Sequence, residues 1–294
     1  MSPKQRLRRF VTRVQAQDGP LRTLTGNALG FLGRNSGGPE GSRVAMFHIQ
    51  RCGSTVLGNM VNEDPSVLWD SEALDPRLKR IYEDPGVLQR ERFDRKTFER
   101  EVRRRFVNAK GRRYCIESTH EQFDLFGIRD PLEARQVLQS TGFGVFIQLR
   151  RKNLLRQLVS TLRGIAAGNM HINAGDEKKF EMKPVDLDPA GFVVRNGQPT
   201  MSLEEQLEQR DDAQEWLGEV VGPDALQLDF ETHVMKDPRI GYRLICEHIG
   251  IEARDLAPSL KRTNPQPVAQ LIANPDAWRE RIKGTRFEWM MDAD

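Results

Sequence analysis

The sequence predicts an α/β fold in which a central parallel sheet is flanked by helices, within a single domain at 43–294. Short apolar runs, typical of strands buried on both faces, alternate with segments whose apolar residues recur at helical spacing. Such alternation favours parallel strands joined by crossover helices, because a parallel pair needs a long connection. The chain has 294 residues, of which 38% are hydrophobic, so it is long enough to bury one large core.

Five strands are expected in order along the chain. They lie at 44–49, 66–70, 114–118, 143–150 and 225–230. Helices are expected between and after them, at 55–61, 95–110, 131–140, 153–165, 202–221 and 238–249. Ser202 with Glu205 has the pattern of a capping box, and Gly250 is suited to end the last helix. Residues 167–201 have no sustained period, which is typical of a functional loop, a lid or a disordered segment.

The charge balance argues against a nucleic-acid partner. The chain has 45 basic and 42 acidic residues and a formal net charge of +3, whereas a nucleic-acid binder carries a strong basic excess. The three cysteines are odd in number and lack the spacing of metal ligands. We therefore expect reduced thiols, as in a cytoplasmic protein, at Cys52, Cys115 and Cys246.

Residues 1–42 form a basic leader and linker ahead of the domain. Leu7, Phe10, Val11 and Val14 give the leader a basic amphipathic helical pattern. Such a helix can lie on an anionic membrane surface, and a solvated or docked helix is the alternative. The leader lacks the apolar core of a signal peptide, and no segment approaches the ~20 apolar residues of a membrane span. We expect a cytoplasmic protein, with peripheral contact at the inner membrane face as the alternative to a free leader.

The strand at 44–49 runs directly into a small polar stretch and then into a helix. A strand, turn and helix in this order aim backbone N–H groups and the positive end of a helix dipole at one point. Gly53 lets the backbone approach a ligand closely, and the neighbouring side chains add donors. The sequence therefore predicts a cradle for phosphate or sulfate, formed by Arg51, Cys52, Gly53, Ser54 and Thr55. A P-loop kinase would need GxxxxGK before Ser or Thr, and the chain has no Gly-Lys pair.

The cradle resembles the 5′-phosphosulfate loop of sulfotransferases that use 3′-phosphoadenosine-5′-phosphosulfate (PAPS). In that family a Lys or Arg, a small residue, Gly and two Ser/Thr residues follow the first strand. A second stretch, LRRKNLLRQLVS at 149–160, resembles the family's 3′-phosphate motif, in which an Arg ends a strand and a Ser follows. Arg151 and Ser160 match that motif, and Arg150 is the alternative to Arg151.

Further segments are similar to the bacterial branch that contains the trehalose and Nod-factor sulfotransferases. Asn153 and Gln157 match that branch. The segment at 228–251 is similar to the family's late strand and helix. Residues 260–278 resemble the branch's C-terminal segment, whose basic residues reach the cofactor, here Lys261 and Arg262.

The resemblance implies a P-loop-like three-layer fold and transfer of a sulfuryl group from PAPS to a hydroxyl of a carbohydrate or glycolipid, with no metal required. Arg51 would stabilise charge on the departing phosphate, and Ser54 and Thr55 would bind the 5′-phosphate. Arg151 and Ser160 would bind the 3′-phosphate. A non-catalytic module that binds PAP, the product nucleotide, and a P-loop kinase are the alternatives.

Two residues compete for the role of the base that takes the acceptor proton. Glu72 follows the second strand, where this chain resembles the heparan sulfate and trehalose sulfotransferases with their catalytic Glu. His120 lies where the cytosolic sulfotransferases have Lys-Thr-His, but the position of that Lys is Ser118 here. Either side chain can serve as a base, and family position favours Glu72.

Overall fold

The computed structural model describes residues 42–74, 84, 86, 87, 93–167, 183–194, 198–260 and 264–293. Residues 1–41 of the basic leader and linker lie outside these ranges, as do two predicted donor-binding residues, Lys261 and Arg262. The described ranges contain a parallel sheet flanked by helices. The predicted fold class is therefore confirmed.

The sheet has five described strands, all parallel, in the order β2-β3-β1-β4-β5. They are β1 (Arg43–His48), β2 (Val67–Glu72), β3 (Arg113–Ser118), β4 (Phe143–Arg150) and β5 (Leu226–Asp229). Each predicted strand is present, with ends that differ from the prediction by at most two residues. Because β3, β1 and β4 are adjacent and parallel, the segments that follow them leave the same edge of the sheet side by side.

The helices described are α1 (Ser54–Val61), α2 (Arg95–Arg105), α3 (His120–Leu125), α4 (Pro131–Ser140), α5 (Leu154–Ala166), α6 (Leu203–Val221), α7 (Phe230–His233), α8 (Pro238–Ile249) and α9 (Pro275–Ile282). The helix predicted at 95–110 ends earlier, at Arg105, and a 3-10 turn at Phe106–Ala109 follows it. Lys110 closes that turn in the left-handed conformation, with φ of 51°. The sequence analysis did not predict α3, α7 or α9.

Strand β1 contributes side chains to two separate cores, one on each face of the sheet. Ala45 and Phe47 pack into the larger core, with residues of α4, α5 and α6. Val44 and Met46 pack into the smaller core, with residues of α1 and α8. Alternate side chains of a strand point to opposite faces, and all four of these are fully buried. Helices therefore cover both faces, and the three-layer arrangement is confirmed.

Two local predictions about helix ends are confirmed. Ser202 Oγ accepts the backbone N–H of Glu205 at 3.3 Å, and Glu205 Oε2 accepts that of Ser202 at 2.7 Å. Gly250 ends α8 in the left-handed conformation, with φ of 68°. All three cysteines are free, in line with the expectation of unpaired thiols, and the structure also shows them to be buried. Across the part of the chain that the structure describes, no helix has the length and apolar character needed to cross a membrane.

The predicted aperiodic insert is described at 167, where it follows α5, and at 183–194 and 198–201, where it has isolated bridges and no helix. Val185 bridges to Ile272 of the C-terminal segment. Phe192 stacks on Trp278 of α9 with the ring centroids 5.7 Å apart. These described parts of the insert are therefore packed against the C-terminal segment, which explains their burial without a regular period.

Candidate functional site

The predicted cradle is a tight turn between β1 and α1, with two residues in the left-handed conformation. Arg51 has φ of 62° and Gly53 has φ of 83°. A Cβ atom on Gly53 would lie 2.8 Å from Val234 Cγ1 and 3.2 Å from the ring of Phe230. Conformation and space therefore both require glycine there. The turn leads into the first N–H groups of α1, which have no partner within the helix and lie at its positive end.

The two segments predicted to bind phosphates are in direct contact. Arg51 Nε donates a hydrogen bond to Ser160 Oγ at 3.1 Å, across 109 positions of sequence. Arg151 Nη1 donates to the backbone carbonyl of Arg51. Parallel pairing of β1 with β4 brings these segments to the same edge of the sheet. The turn after β1 and the segment after β4 therefore form one site.

Arg151 is a buried cation in this site. Its guanidinium lies 4.4 Å from the ring centroid of Phe230, and its Nε is buried without a hydrogen-bond partner among the described residues. Burial lowers the pKa of Arg151 to about 9, although Glu231 opposes the shift. Burial also lowers the pKa of Arg51, opposed by Cys52. Both side chains keep their charge at neutral pH at an energetic cost that a bound anion would relieve.

The structure separates the two adjacent arginines that the sequence left as alternatives. The side chain of Arg150 is exposed and lines an open cavity of about 840 Å³ together with Asp130, Gln148 and Glu219. Arg151 instead contacts the cradle. Of these two arginines, Arg151 is therefore the one that lies beside Arg51, which in turn contacts Ser160.

The loop between β4 and α5 is held in place by Glu231 of α7. The carboxylate of Glu231 accepts the backbone N–H groups of Lys152 at 3.1 Å and Asn153 at 3.0 Å. Asn153 in turn caps α5, accepting the N–H of Arg156 at 2.8 Å. Gln157 donates to the carbonyl of Gln50, immediately before the cradle. These bonds fix the position of Arg151 and Ser160 relative to the cradle.

The C-terminal segment reaches the site through Asn264, a residue that the sequence analysis did not single out. Asn264 Nδ2 donates to Ser160 Oγ at 3.1 Å, and Arg163 donates to Asn264 Oδ1. Arg156 Nη2 donates to the carbonyls of Asn264 at 2.8 Å and Gln266 at 2.6 Å. The sequence carried no local signal for Asn264, because its partners lie about 100 positions away.

A buried ion pair lies directly beneath the cradle, and the sequence analysis also missed it. His48 Nε2 and Glu117 Oε2 are 3.0 Å apart, with 1% and 2% of the side chains exposed. Trp69 Nε1 donates to Glu117 Oε1 at 2.7 Å, and the Ser54 hydroxyl bonds to the same carboxylate. The sequence did contain a signal for this pair, since His48 and Glu117 are ionisable residues within apolar strands. Buried charges are normally paired, so two such residues indicate a possible ion pair.

Opposing effects determine the charges of this pair. Burial disfavours the charged imidazole, but the Cys52 sulfur and the Glu117 carboxylate outweigh it and raise the pKa of His48 well above its ordinary value. Burial also disfavours the carboxylate, but hydrogen bonds from His48, Ser54 and Trp69 outweigh it and lower the pKa of Glu117. The pair is therefore charged on both sides near neutral pH.

Glu72 lies next to this buried pair. The carboxylate of Glu72, a nitrogen of His48 and the carboxylate of Glu117 are all within 4.8 Å of one another. Three such groups could hold a cation. The proton that His48 shares with Glu117 already occupies the space between two of them, so a cation would have to displace it.

His120, the other candidate base, starts α3 and packs against α6. Its ring meets that of Trp216 edge-on, with centroids 4.9 Å apart. Burial lowers the pKa of His120 against the opposing effect of Asp124 and Glu121, so the ring is neutral at pH 7. Glu72 thus lies near Glu117, whose carboxylate is bonded to Ser54 of the cradle, and His120 lies against α6.

The remaining cradle residues differ in what they offer a ligand. Cys52 is fully buried. The Ser54 hydroxyl is bonded to Glu117. Ser54 can therefore offer a phosphate only its backbone N–H. Thr55 is half-buried at the second position of α1. Arg51 and backbone groups are therefore the main contribution of the cradle.

Comparison with solved structures finds a similarity in fold. No protein-family model matches the sequence, and no curated protein matches it. Among solved structures, a sulfotransferase from Alicyclobacillus acidocaldarius superposes with a TM-score of 0.41 and 14% sequence identity, covering 86% of this chain and 96% of that chain. Similarity of this size does not establish a family, so the functional interpretation rests on the residues of the site.

Proposed function

We propose that this protein is a sulfotransferase that transfers a sulfuryl group from PAPS to a hydroxyl of a carbohydrate or glycolipid. The observation that carries the proposal is the hydrogen bond between Arg51 and Ser160, which joins the two segments predicted to bind phosphates. PAPS has anionic groups on both sides of its ribose and needs such a pair of segments. The site also lies beyond the carboxyl ends of parallel strands, where open α/β sheets bind ligands.

The roles of the residues follow from the bonds that change. The acceptor oxygen attacks sulfur, the bond between sulfur and the 5′-phosphate oxygen breaks, and PAP leaves with the electron pair. Arg51 and the N–H groups of α1 would stabilise the charge that develops on the leaving oxygen. Arg151 and Ser160 would bind the 3′-phosphate and align the donor. The arginines stay protonated through the reaction, so another group must take the acceptor proton.

Glu72 is the proposed base, with His120 as the alternative. Glu72 is supported by its place beside Glu117, which bonds to Ser54 of the cradle. His120 is supported by its lowered pKa, which leaves the ring able to accept a proton. The test compares Glu72→Gln with His120→Gln. We expect kcat to fall by about 10²–10⁴ in the variant that lacks the base, while PAP affinity stays within about threefold of the wild type.

The activity is tested by incubating the full chain with PAPS and a panel of sugars and glycolipids. The expected result is PAP release that depends on an acceptor, together with a sulfated product in mass spectrometry. Absence of PAP binding would refute the proposal.

A non-catalytic PAP-binding module is the second candidate. Ser118 stands where the cytosolic enzymes have lysine, and it is buried with 1% exposed. PAP binding without acceptor-dependent release from any panel member, in the same incubation, would favour this module over the enzyme.

A further inference from the structure

The hydroxyl of Ser160 accepts two hydrogen bonds at the point where three segments of the chain meet. Arg51 Nε and Asn264 Nδ2 both donate to Ser160 Oγ, each at 3.1 Å. A serine hydroxyl has one hydrogen and two acceptor lone pairs, so these donors occupy both lone pairs. Only the hydroxyl hydrogen of Ser160 is left to bond a ligand. The ligand must therefore supply a hydrogen-bond acceptor.

Arg163 fixes the orientation of the Asn264 amide. A guanidinium has donors only, and Arg163 donates to Oδ1 of Asn264. The amide oxygen must therefore face Arg163, and the NH₂ group must face Ser160. Arg156 holds the backbone carbonyl of Asn264 at 2.8 Å, and 4% of the asparagine is exposed. The amide is thus held in the orientation that donates to Ser160.

The groups around Ser160 suit a phosphate and not a hydroxyl. Arg51, Arg151 and Arg163 offer donors only. A phosphate dianion brings acceptor oxygens and no hydrogen. A ribose hydroxyl brings a hydrogen of its own, and the nearby amide oxygen of Asn264 is already bonded to Arg163. A buried donor without an acceptor weakens binding, so a ligand with a free 3′-hydroxyl is disfavoured.

We infer that Asn264 is a specificity-determining positioning residue, which keeps the Ser160 hydroxyl as a donor so that the site selects a 3′-phosphate over a 3′-hydroxyl. The inference rests on the proposed function, because the phosphate in question is that of PAPS. Asn264 acts through Ser160 and does not take part in sulfuryl transfer.

The test replaces the donating amide with an accepting carboxylate of the same shape, by Asn264→Asp. Titration calorimetry on the full chain measures the dissociation constants of PAP and of 5′-AMP, which lacks the 3′-phosphate. We expect PAP affinity to fall by about 100-fold, since the hydroxyl turns away and a negative charge is added. Affinity for 5′-AMP should stay within about threefold.

A matched control is Asn274→Asp, the same chemical change at the residue before α9. The amide of Asn274 donates to the carbonyl of Leu187 at 3.3 Å, away from Ser160, so both affinities should match the wild type.

A second test removes the hydroxyl of Ser160 itself. In a Ser160→Ala background, Asn264→Ala should leave the ratio of PAP to 5′-AMP affinity unchanged. Asn264 is proposed to act through the Ser160 hydroxyl, which this background lacks.

The outcomes separate this inference from the proposed function. A wild-type chain that binds PAP no more tightly than 5′-AMP would refute both. A wild-type preference for PAP that survives in Asn264→Asp would refute the inference alone. Equal loss of both ligands in that variant, with a lowered melting temperature, would also refute it, since Asn264 would then serve only to hold the fold together.

Discussion

At the scale of single residues, Arg151 is a buried side chain whose charge depends on its surroundings. Burial lowers its pKa to about 9, and its charge is proposed to bind the 3′-phosphate. The sequence predicted an arginine at this place but left Arg150 and Arg151 as alternatives, because both follow the same strand. The structure separates them, since the polypeptide turns after β4 and directs one guanidinium to the cradle.

The pKa of Arg151 predicts how PAP affinity depends on pH. Arg151 is protonated below its pKa, so affinity should be steady between about pH 7 and 8. Above pH 9 it should fall by up to about tenfold per pH unit as the free protein loses this charge. Calorimetric titrations from pH 7 to 10 measure the effect. The control ligand is 5′-AMP, whose affinity should fall less, and parallel losses for both ligands would contradict a contact between Arg151 and the 3′-phosphate.

The ion pair of His48 and Glu117 leads to a prediction about stability. Glu117→Gln removes the carboxylate that is hydrogen-bonded to His48 and leaves Glu72 as the neighbouring carboxylate. We expect a loss of about 3 kcal/mol in the free energy of unfolding. Urea unfolding at several pH values measures this. An exposed control, Glu63→Gln, should change stability by less than about 0.5 kcal/mol. Equal stability of Glu117→Gln and the wild type near pH 5.5 would contradict the ion pair.

The direction of the two pKa shifts sets the pH range of this effect. Glu117 has a lowered pKa, so its contribution is present above its unfolded value of about 4.3 and is lost as pH falls through the folded value. His48 has a raised pKa, so its contribution is present below about 6.5 and is lost as pH rises through the folded value. The stability difference should therefore be widest between about pH 4.3 and 6.5 and smaller at pH 9.

At the scale of secondary-structure elements, the regular strands and the longer helices could be predicted from the sequence. Apolar runs predicted all five strands, because strands covered on both faces are apolar along their length. Helical spacing of apolar residues predicted the longer helices. The short helix α3 and the four-residue α7 were missed, since they are too short to show a period. Helix α9 was missed too, although Asn274 followed by Pro275 is a typical helix start.

Helix α1 contains a glycine whose replacement by alanine should lower the stability of the protein, which is the reverse of the usual effect in a helix. Alanine in place of glycine within a helix normally stabilises it by up to about 1 kcal/mol. A Cβ atom on Gly58 would lie 2.4 Å from Trp69 Nε1 and 2.9 Å from Glu117 Oε1. Gly58→Ala should therefore destabilise the protein by about 1–3 kcal/mol, measured by urea unfolding, and should weaken PAP binding.

The matched control is Gly218→Ala in α6, where the nearest atoms to a new Cβ are those of Gln148 at 3.4 Å. That distance is an ordinary van der Waals contact, so this variant should equal or exceed the wild type in stability. Unfolding of Gly58→Ala at the same urea concentration as the control would contradict the proposed packing of α1 on Trp69 and Glu117.

At the scale of the whole molecule, the strand order creates the site. Placing β1 between β3 and β4 brings together the segments that contain Arg51, Ser118 and Arg151. The sequence predicted parallel strands but not their order, because pairing depends on contacts between residues about 70 to 100 positions apart. The same limit explains why the contacts of Glu117 with His48 and of Asn264 with Ser160 were missed. Contact of the basic leader with an anionic membrane stays a prediction.

The most direct test of the proposed function is calorimetric titration of the full wild-type chain with PAP, in parallel with 5′-AMP and with ATP and magnesium. We expect PAP to bind at least about tenfold more tightly than 5′-AMP, since the 3′-phosphate adds charge-assisted hydrogen bonds to Arg151 and Ser160. Magnesium should not be needed for PAP to bind. Equal affinity for PAP and 5′-AMP, or binding of ATP only with magnesium, would contradict a PAPS site and favour a nucleotide-binding module or a kinase.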